Sequence, residues 1–195
     1  NGHEINGDGQ VIITAGGSAL AANLGQITTN TSSYTGTDGT TITGLLPADG
    51  TCTIESSITL DGSLLNINAT YTIVEDKSIT ATAARLNGHE INGDGQVIIT
   101  AGGSALSANL GQITTNTSSY TGTDDDFITG LLPAAGTCTI KSSITLGLDN
   151  LLNTTAVYTI FSEKSITATA ARLTGQTING DGQVIITSGG SALAA

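Results

Sequence analysis

One internal repeat constrains this chain more than any other feature. Residues 1–14, Asn1-Gly-His-Glu-Ile-Asn-Gly-Asp-Gly-Gln-Val-Ile-Ile-Thr14, recur at 87–100 and, with three changes at the start, at 174–187. The offsets are 86 and 87 residues, and 71 of the first 86 positions are identical in the second copy once one insertion near Gly147 is allowed. The chain divides into unit 1 (1–86), unit 2 (87–173) and a partial unit 3 (174–195). Leu86 runs into Asn87, and Leu173 into Thr174, with no Pro-rich or Ser/Gly-rich linker. Self-similarity at a long fixed period marks repeat architectures, in which each unit buries part of its apolar face on the next. Because the chain opens inside a repeat without Met or a signal sequence, it reads as a fragment of something longer.

Within a unit, short segments alternate apolar residues with Thr. Gln10–Thr14, Thr40–Thr43, Thr51–Ile54, Ser57–Leu60, Thr70–Ile73 and Ser78–Thr82 read as strands, since the alternation has period two and Thr, Ile and Val suit a pleated surface. Turn residues stand between them at Asn6-Gly-Asp-Gly9, Thr37-Asp-Gly39, Ala48-Asp-Gly50 and Asp61-Gly62. The alternation predicts that Ile12, Ile42, Ile58, Ile73, Ile79 and their copies point inward. Ser18–Ile27 breaks the pattern. Leu20, Leu24 and Ile27 fall at helical spacing behind a Ser18 cap, which predicts two turns of amphipathic helix. Ala83-Ala-Arg-Leu86 reads as a shorter turn of the same kind. The two units differ in clusters: Gly39-Thr40-Thr41 becomes Asp125-Asp126-Phe127, Asp61–Ser63 becomes 147–150, and Val74–Asp76 becomes Phe161–Glu163. Such swaps belong in or beside turns.

Two all-β architectures fit. A β-solenoid with short helical corner segments would use about four coils of roughly 21 residues per unit, rising ~19 Å at the strand spacing. The alternative is a tandem of immunoglobulin-like β-sandwiches, whose size the period also matches. Six aromatics in the whole chain, no Trp and no linkers favour the solenoid. Uneven spacings stand against it: the interval from Ile13 to Ile42 is nearly twice that from Ile58 to Ile73.

Composition narrows the function classes. Charged residues make up 11%, against about 25% in ordinary domains. Net charge is −11, and Lys77, Arg85, Lys141, Lys164 and Arg172 are scattered singly, so nucleic acid and anionic membrane surfaces are unsuited partners. The longest apolar runs are far shorter than the ~18 residues a membrane span needs. Ser and Thr together supply 51 of 195 residues.

Candidate chemistry is sparse. Cys52 and Cys138 occupy equivalent positions. Each shares a strand face with an Ile, as a small buried hydrophobe would; the functional alternative is a crosslink to a neighbouring chain. They lie a unit apart, too far for a disulfide with each other. His3-Glu4 and His89-Glu90 lack the second His of a zinc site and read as surface loop. No catalytic triad is legible. Calcium is the one metal the sequence suggests. Its candidate ligands are Asp8, Asp94 and Asp181 in the repeated Asn-Gly-Asp-Gly turns, and Asp124, Asp125 and Asp126 as an acidic run. An Asx-type turn explains the first group without an ion. Recurrent Thr-x-Thr (29–31, 35–37, 41–43, 51–53, 70–72, 80–82) would place hydroxyls on one face about 7 Å apart. Stacked flat, that is an ice-binding chemistry, although uneven spacings oppose it.

The run Val11-Ile-Ile-Thr-Ala-Gly-Gly-Ser-Ala-Leu-Ala-Ala-Asn-Leu24, its copy at 97–110 and the weaker Ser78–Leu86 resemble the repeat regions of giant, repetitive bacterial cell-surface and adhesin-like proteins. The resemblance covers about a quarter of each unit. It implies an extracellular or cell-surface location and an extended stalk or fibre. The Gly-Gly-x-Gly-x-Asp calcium nonapeptide of many such proteins is missing, so calcium-driven folding is not implied. The reading is therefore a non-enzymatic structural segment whose partner is itself, head to tail or side by side. A stalk of tandem β-sandwich domains in an adhesin, presenting a distal binding module, is the alternative.

Overall fold

The computed structural model describes residues 2–14, 19–62, 65–100, 105–147, 152–153 and 155–187. They wind into a parallel β-solenoid of about eight turns. Unit 1 contributes β1 (Ile5–Thr14), β2 (Ala19–Leu20), β3 (Ile27–Thr35), β4 (Thr40–Ile42), β5 (Gly50–Ile54), β6 (Ile58–Leu60), β7 (Ala69–Ile73), β8 (Ser78–Thr82) and the helical corner α1 (Ala83–Leu86). Unit 2 contributes β9 (Glu90–Gly93), β10 (Gln96–Thr100), β11 (Ala105–Leu106), β12 (Thr117–Thr121), β13 (Asp126–Ile128), β14 (Thr137–Ile140), β15 (Ile144–Leu146), β16 (Val157–Ile160), β17 (Ser165–Thr169) and α2 (Ala170–Leu173). The partial unit adds β18 (Thr177–Gly180) and β19 (Gln183–Thr187).

All strand pairs are parallel, in three sheets: β1-β3-β5-β7-β9, then β2-β4-β6-β8-β10-β12-β14-β16-β18, then β11-β13-β15-β17-β19. We number these sheets 1, 2 and 3. Each residue pairs with one a single coil later. Thr40 meets Ile58 and Ile5 meets Ile27; Thr31 meets Thr51 and Thr117 meets Thr137. Tandem sandwiches are excluded, because their strands would pair within a block and largely antiparallel. The uneven spacings have a simple origin. Ile13 and Ile42 lie on different sheets, as do Ile58 and Ile73, so those intervals never measured a coil.

The interior is a set of stacked columns. On sheet 1, Ile13, Tyr34, Ile54 and Ile73 are in register, beside Val11, Ser32, Cys52, Tyr71 and Ile91. On sheet 2, Ala81, Ile99, Tyr120, Ile140 and Ile160 repeat the arrangement. Ile42, Ile58, Ile73, Ile79, Ile128, Ile144, Ile160 and Ile166 are buried as expected, each contributing about 1.5–3 kcal/mol by leaving water. Ile12 departs from the expectation: it is 62% exposed. In this strand Val11 and Ile13 face the core, and in the copy Val97 and Ile99 are fully buried while Ile98 points outward. Three consecutive apolar residues leave the parity undecided, and the coil neighbours Ser32 and Tyr34 settle it.

The amphipathic helix expected at 18–27 is replaced by strand and loop. Ser18 lies outside the described residues, β2 occupies 19–20, and Ile27 opens β3. Backbone hydrogen bonds there go to the next coil: Leu24 N–H donates to Leu45 O at 2.9 Å, and Leu110 N–H to Leu131 O at 3.0 Å in the copy. Those cross-coil bonds compete with the i to i−4 bonds of a helix. Among the described residues, helix forms only at Ala83–Leu86 and Ala170–Leu173. Strand β3 carries no sequence signal, because its Thr-Thr-Asn-Thr-Ser-Ser run lacks apolar alternation.

Core truncation tests this orientation. Ile99→Ala is expected to cost about 2–5 kcal/mol, and Ile12→Ala less than about 0.5 kcal/mol. Urea unfolding of both variants measures the difference, and equal losses would refute the assigned parity.

Candidate functional surfaces

The Asn-Gly-Asp-Gly motif forms a corner between strands in its second and third copies, β9 to β10 and β18 to β19, whereas the turn expected at Asn6–Gly9 is absorbed into β1, whose register shifts between Gly7 and Gln10. Gly93 and Gly180 have φ of +104° and +103°, and a Cβ at either would run into a carbonyl oxygen of the coil below, that of Ile73 or Ile160. Only glycine fits both the left-handed backbone and the close approach. The polar side chains of the motif reach across coils. Thr72 Oγ1 donates to Asn92 Oδ1 at 2.8 Å, and Thr159 Oγ1 to Asn179 Oδ1 at 2.6 Å. Asp8 accepts from Asn30 Nδ2 at 2.9 Å, and Asp94 from Asn116 Nδ2 at 2.6 Å. Asp181 is exposed at the equivalent corner.

The acidic run separates into three environments. Asp124 is exposed, accepts from Ser143 N–H at 2.8 Å and pairs with Lys164 Nζ at 2.8 Å. Asp125 sits in the left-handed region at φ 71°. Asp126 turns inward, 1% exposed, and accepts hydrogen bonds from Tyr120 Oη and, at 3.1 Å, from Thr123 N–H. The three carboxylates thus diverge. Among the described residues, no group of three or more His, Cys, Asp or Glu is placed to hold a metal.

Asp38 repeats the Asp124 arrangement in unit 1, with Ser57 N–H and Lys77 Nζ each at 2.8 Å. The lysine's hydrogen bond, with help from the Ser57 amide, holds Asp38 below its usual carboxylate range, as Lys164 and the Ser143 amide do for Asp124. These bonds join three consecutive coils at one corner. The differing stretch 74–76 forms a turn there, and 39–41 runs from a turn at Gly39 into the start of β4, in or beside turns as their variability suggested. In the remaining differing stretch, residues 63 and 148–150 lie outside the described residues.

Cys52 and Cys138 are both 0% exposed and unpaired. Burial pushes each thiol up to about 11, against a partial offset from Ser32 or Ser118. A buried, protonated thiol is a poor nucleophile, so the geometry opposes a crosslink between chains in the folded state. Beside them, Tyr71 Oη donates to Pro47 O at 2.8 Å and accepts from Asn66 N–H at 3.0 Å; Tyr158 does the same with Pro133 O and Asn153 N–H at 2.7 and 3.0 Å. Burial raises both phenols well above the ordinary tyrosine value. His3 is exposed, but His89 is half-buried at the unit junction, and desolvation lowers its pKa; the surface-loop expectation holds only for His3.

Two surface features remain. A groove of about 450 Å³ at the first junction is lined by Glu75, Asp76, Lys77, Asp94, Gln96 and Thr117, among others. Its Lys77 and Asp94 are already engaged across coils. The second feature is a hydroxyl ladder on the outside of sheet 2. Thr41, Thr59 and Thr80 lie in register, Ile98 and the buried Ser119 interrupt them, and Thr139 and Thr159 continue. Single Thr residues therefore stack coil over coil here, while the pairs Thr51/Thr53 and Thr70/Thr72 stack on sheet 1. No helix among the described residues is long and apolar enough to cross a membrane. The chain matches no protein-family model, no curated protein and no solved structure.

Two outcomes follow from the buried groups. Stability is expected to fall as pH rises from about 9 through about 11. The unfolded chain ionises its thiols near 9.0, while the folded thiols stay protonated until about 11, so the unfolded state binds fewer protons across that window. Cys52→Ala/Cys138→Ala should lessen the alkaline fall in a melting series, and an unchanged profile would assign it to the buried tyrosines instead. The second outcome contrasts equivalent tyrosines. Tyr34 Oη is buried without a partner where Tyr120 Oη has Asp126. Tyr120→Phe should cost about 1–3 kcal/mol and Tyr34→Phe nothing, because only the first leaves a buried group unsatisfied. Chemical denaturation of the two variants decides it.

Proposed function

We propose that this chain is a structural segment of a long secreted or cell-surface fibre, of the kind found in repetitive adhesin-like proteins, and acts by repeat stacking and self-association without catalysis. The observation that carries the reading is the continuity of sheet 2. Its nine strands run from β2 to β18 through both unit junctions without a break. Successive units share one hydrophobic interior and one backbone ladder, so adding repeats lengthens a rod by ~4.8 Å per coil. The low charge of the surface and its three lysines leave few groups that oppose lateral or end-on contact, since lysines commonly protect sheet edges. Acidity with few lysines supports a location outside the cell. The polar groups converge on coil-to-coil bonds rather than on a shared cavity, which supports a scaffold over an enzyme.

The in-register hydroxyl ladder favours ice binding as a second reading. Sedimentation velocity of the chain, with electron microscopy of the same sample, tests the first. The expected outcome is concentration-dependent association at micromolar levels with rod-shaped particles. A clean monomer at high micromolar concentration would remove self-association, and thermal hysteresis in that monomer would put the second reading ahead.

A further inference from the structure

The three copies of Gln-Val-Ile-Ile-Thr do not lie on the same side of the rod. In unit 1 the segment ends β1, on sheet 1; in unit 2 it is β10, on sheet 2; in the partial unit it is β19, on sheet 3. Every strand obeys the same shift. β3 and β5 are on sheet 1 and their copies β12 and β14 on sheet 2; β4, β6 and β8 are on sheet 2 and their copies β13, β15 and β17 on sheet 3. The junction registers state it directly. β10 stands on β8 (Ile98 over Thr80), and β19 on β17 (Ile185 over Thr167), although β8 and β17 precede the helical corner of their own units.

We infer that the repeat length, which is not a whole number of coils, is a phase-setting device that turns each repeat by a third of a turn relative to the one before. A coil is the interval between paired residues, as from Thr31 to Thr51 or from Thr117 to Thr137. A unit, measured from Asn1 to Asn87, is then four coils and a remainder of about one side. α1 follows β8 on the side that Asp61 and Gly62 occupy one coil below. Ala83 and Leu86 are fully buried and fill the interior without a strand. Arg85 pins the corner to the coil below, Nε donating to Gly62 O at 2.8 Å and Nη2 pairing with Asp61 at 2.9 Å. Arg172 likewise reaches the coil below, donating to Leu146 O and Gly147 O at 2.7 and 2.9 Å.

Three units complete about 13 coils, ~62 Å at the strand spacing, before a given residue returns to the same side. Superhelical shape follows from the small rotation between repeats. If every unit bent the axis slightly, units in phase would accumulate the bend into an arc. Units turned by a third cancel it over three repeats and keep the rod straight. They also distribute any repeat-specific surface evenly over three sides, so a long array has no unique flat face. The screw is a property of the fold and does not depend on fibre formation.

Paired cysteines in the intact chain test it. With the phase shift, Thr80→Cys/Ile98→Cys places neighbouring thiols one strand apart on sheet 2. Without it, β10 would stand on β7 and Thr72→Cys/Ile98→Cys would be the close pair. Cys52 and Cys138 are buried and do not compete. Under mild oxidation, the 80/98 pair is expected to close at least tenfold faster than the 72/98 pair. Thr167→Cys/Ile185→Cys should behave like the 80/98 pair and serves as the second junction if the first variant folds poorly. Faster closure of 72/98, or no closure of 80/98 and 167/185 in proteins with native circular dichroism, would overturn the phase shift.

Discussion

The structure depends on one constraint: each backbone segment must hydrogen-bond a parallel segment one coil later, at ~4.8 Å. That ladder leaves a narrow interior in which every side chain stacks on the equivalent residue of the coils above and below. A large residue in one coil needs smaller ones beside it. Ser32, Cys52 and Tyr71 form such a column on sheet 1, and Ser118, Cys138 and Tyr158 repeat it on sheet 2. The cysteines are graded packing volume between a serine and a tyrosine, which accounts for their burial and raised pKa without a redox role. The same narrowness explains why a 195-residue chain manages with four tyrosines, two phenylalanines and no tryptophan.

Polar residues serve the same ladder. Asn92, Asn179, Asp8 and Asp94 accept hydrogen bonds from a neighbouring coil. Ser56 Oγ reaches back to Gly36 O at 2.8 Å and Ser142 Oγ to Gly122 O at 2.7 Å. Lys77 and Lys164 span two coils to Asp38 and Asp124. Each exposed ion pair adds little by itself, but together they mark corners where sequence can drift. Unit 2 drifted there most, and one of its changes, Thr40 to Asp126, supplies a buried tyrosine with the partner that its unit 1 counterpart lacks.

A repeat length that is not a whole number of coils has consequences beyond packing. It makes chemically near-identical units present different sides, so similarity in sequence along the chain does not produce similarity along one face. The hydroxyl ladder of sheet 2 draws Thr41, Thr59 and Thr80 from unit 1 and Thr139 and Thr159 from unit 2, on strands that are not copies of one another. In a longer array of such units a given surface would return to the same side only at every third unit.

Much of this was legible in the residues alone. The repeat, the strand segments with Thr alternation, the glycine turns and the buried isoleucines at 42, 58, 73 and 79 follow from local patterns, because period two and glycine's backbone freedom act within a few residues. Other features were settled by neighbours one coil away. Ser18–Ile27 has helical spacing, yet its backbone groups find partners in the next coil. Val11-Ile12-Ile13 is apolar throughout, and only its register against Ser32 and Tyr34 turns Ile12 outward. Asp124, Asp125 and Asp126 are adjacent in sequence; one meets a lysine, one takes a left-handed turn and one meets a buried phenol. The phase of each unit is likewise tertiary. The chain specifies the length of the repeat, but the width of the interior sets the length of a coil, and only the two together rotate each copy by one side.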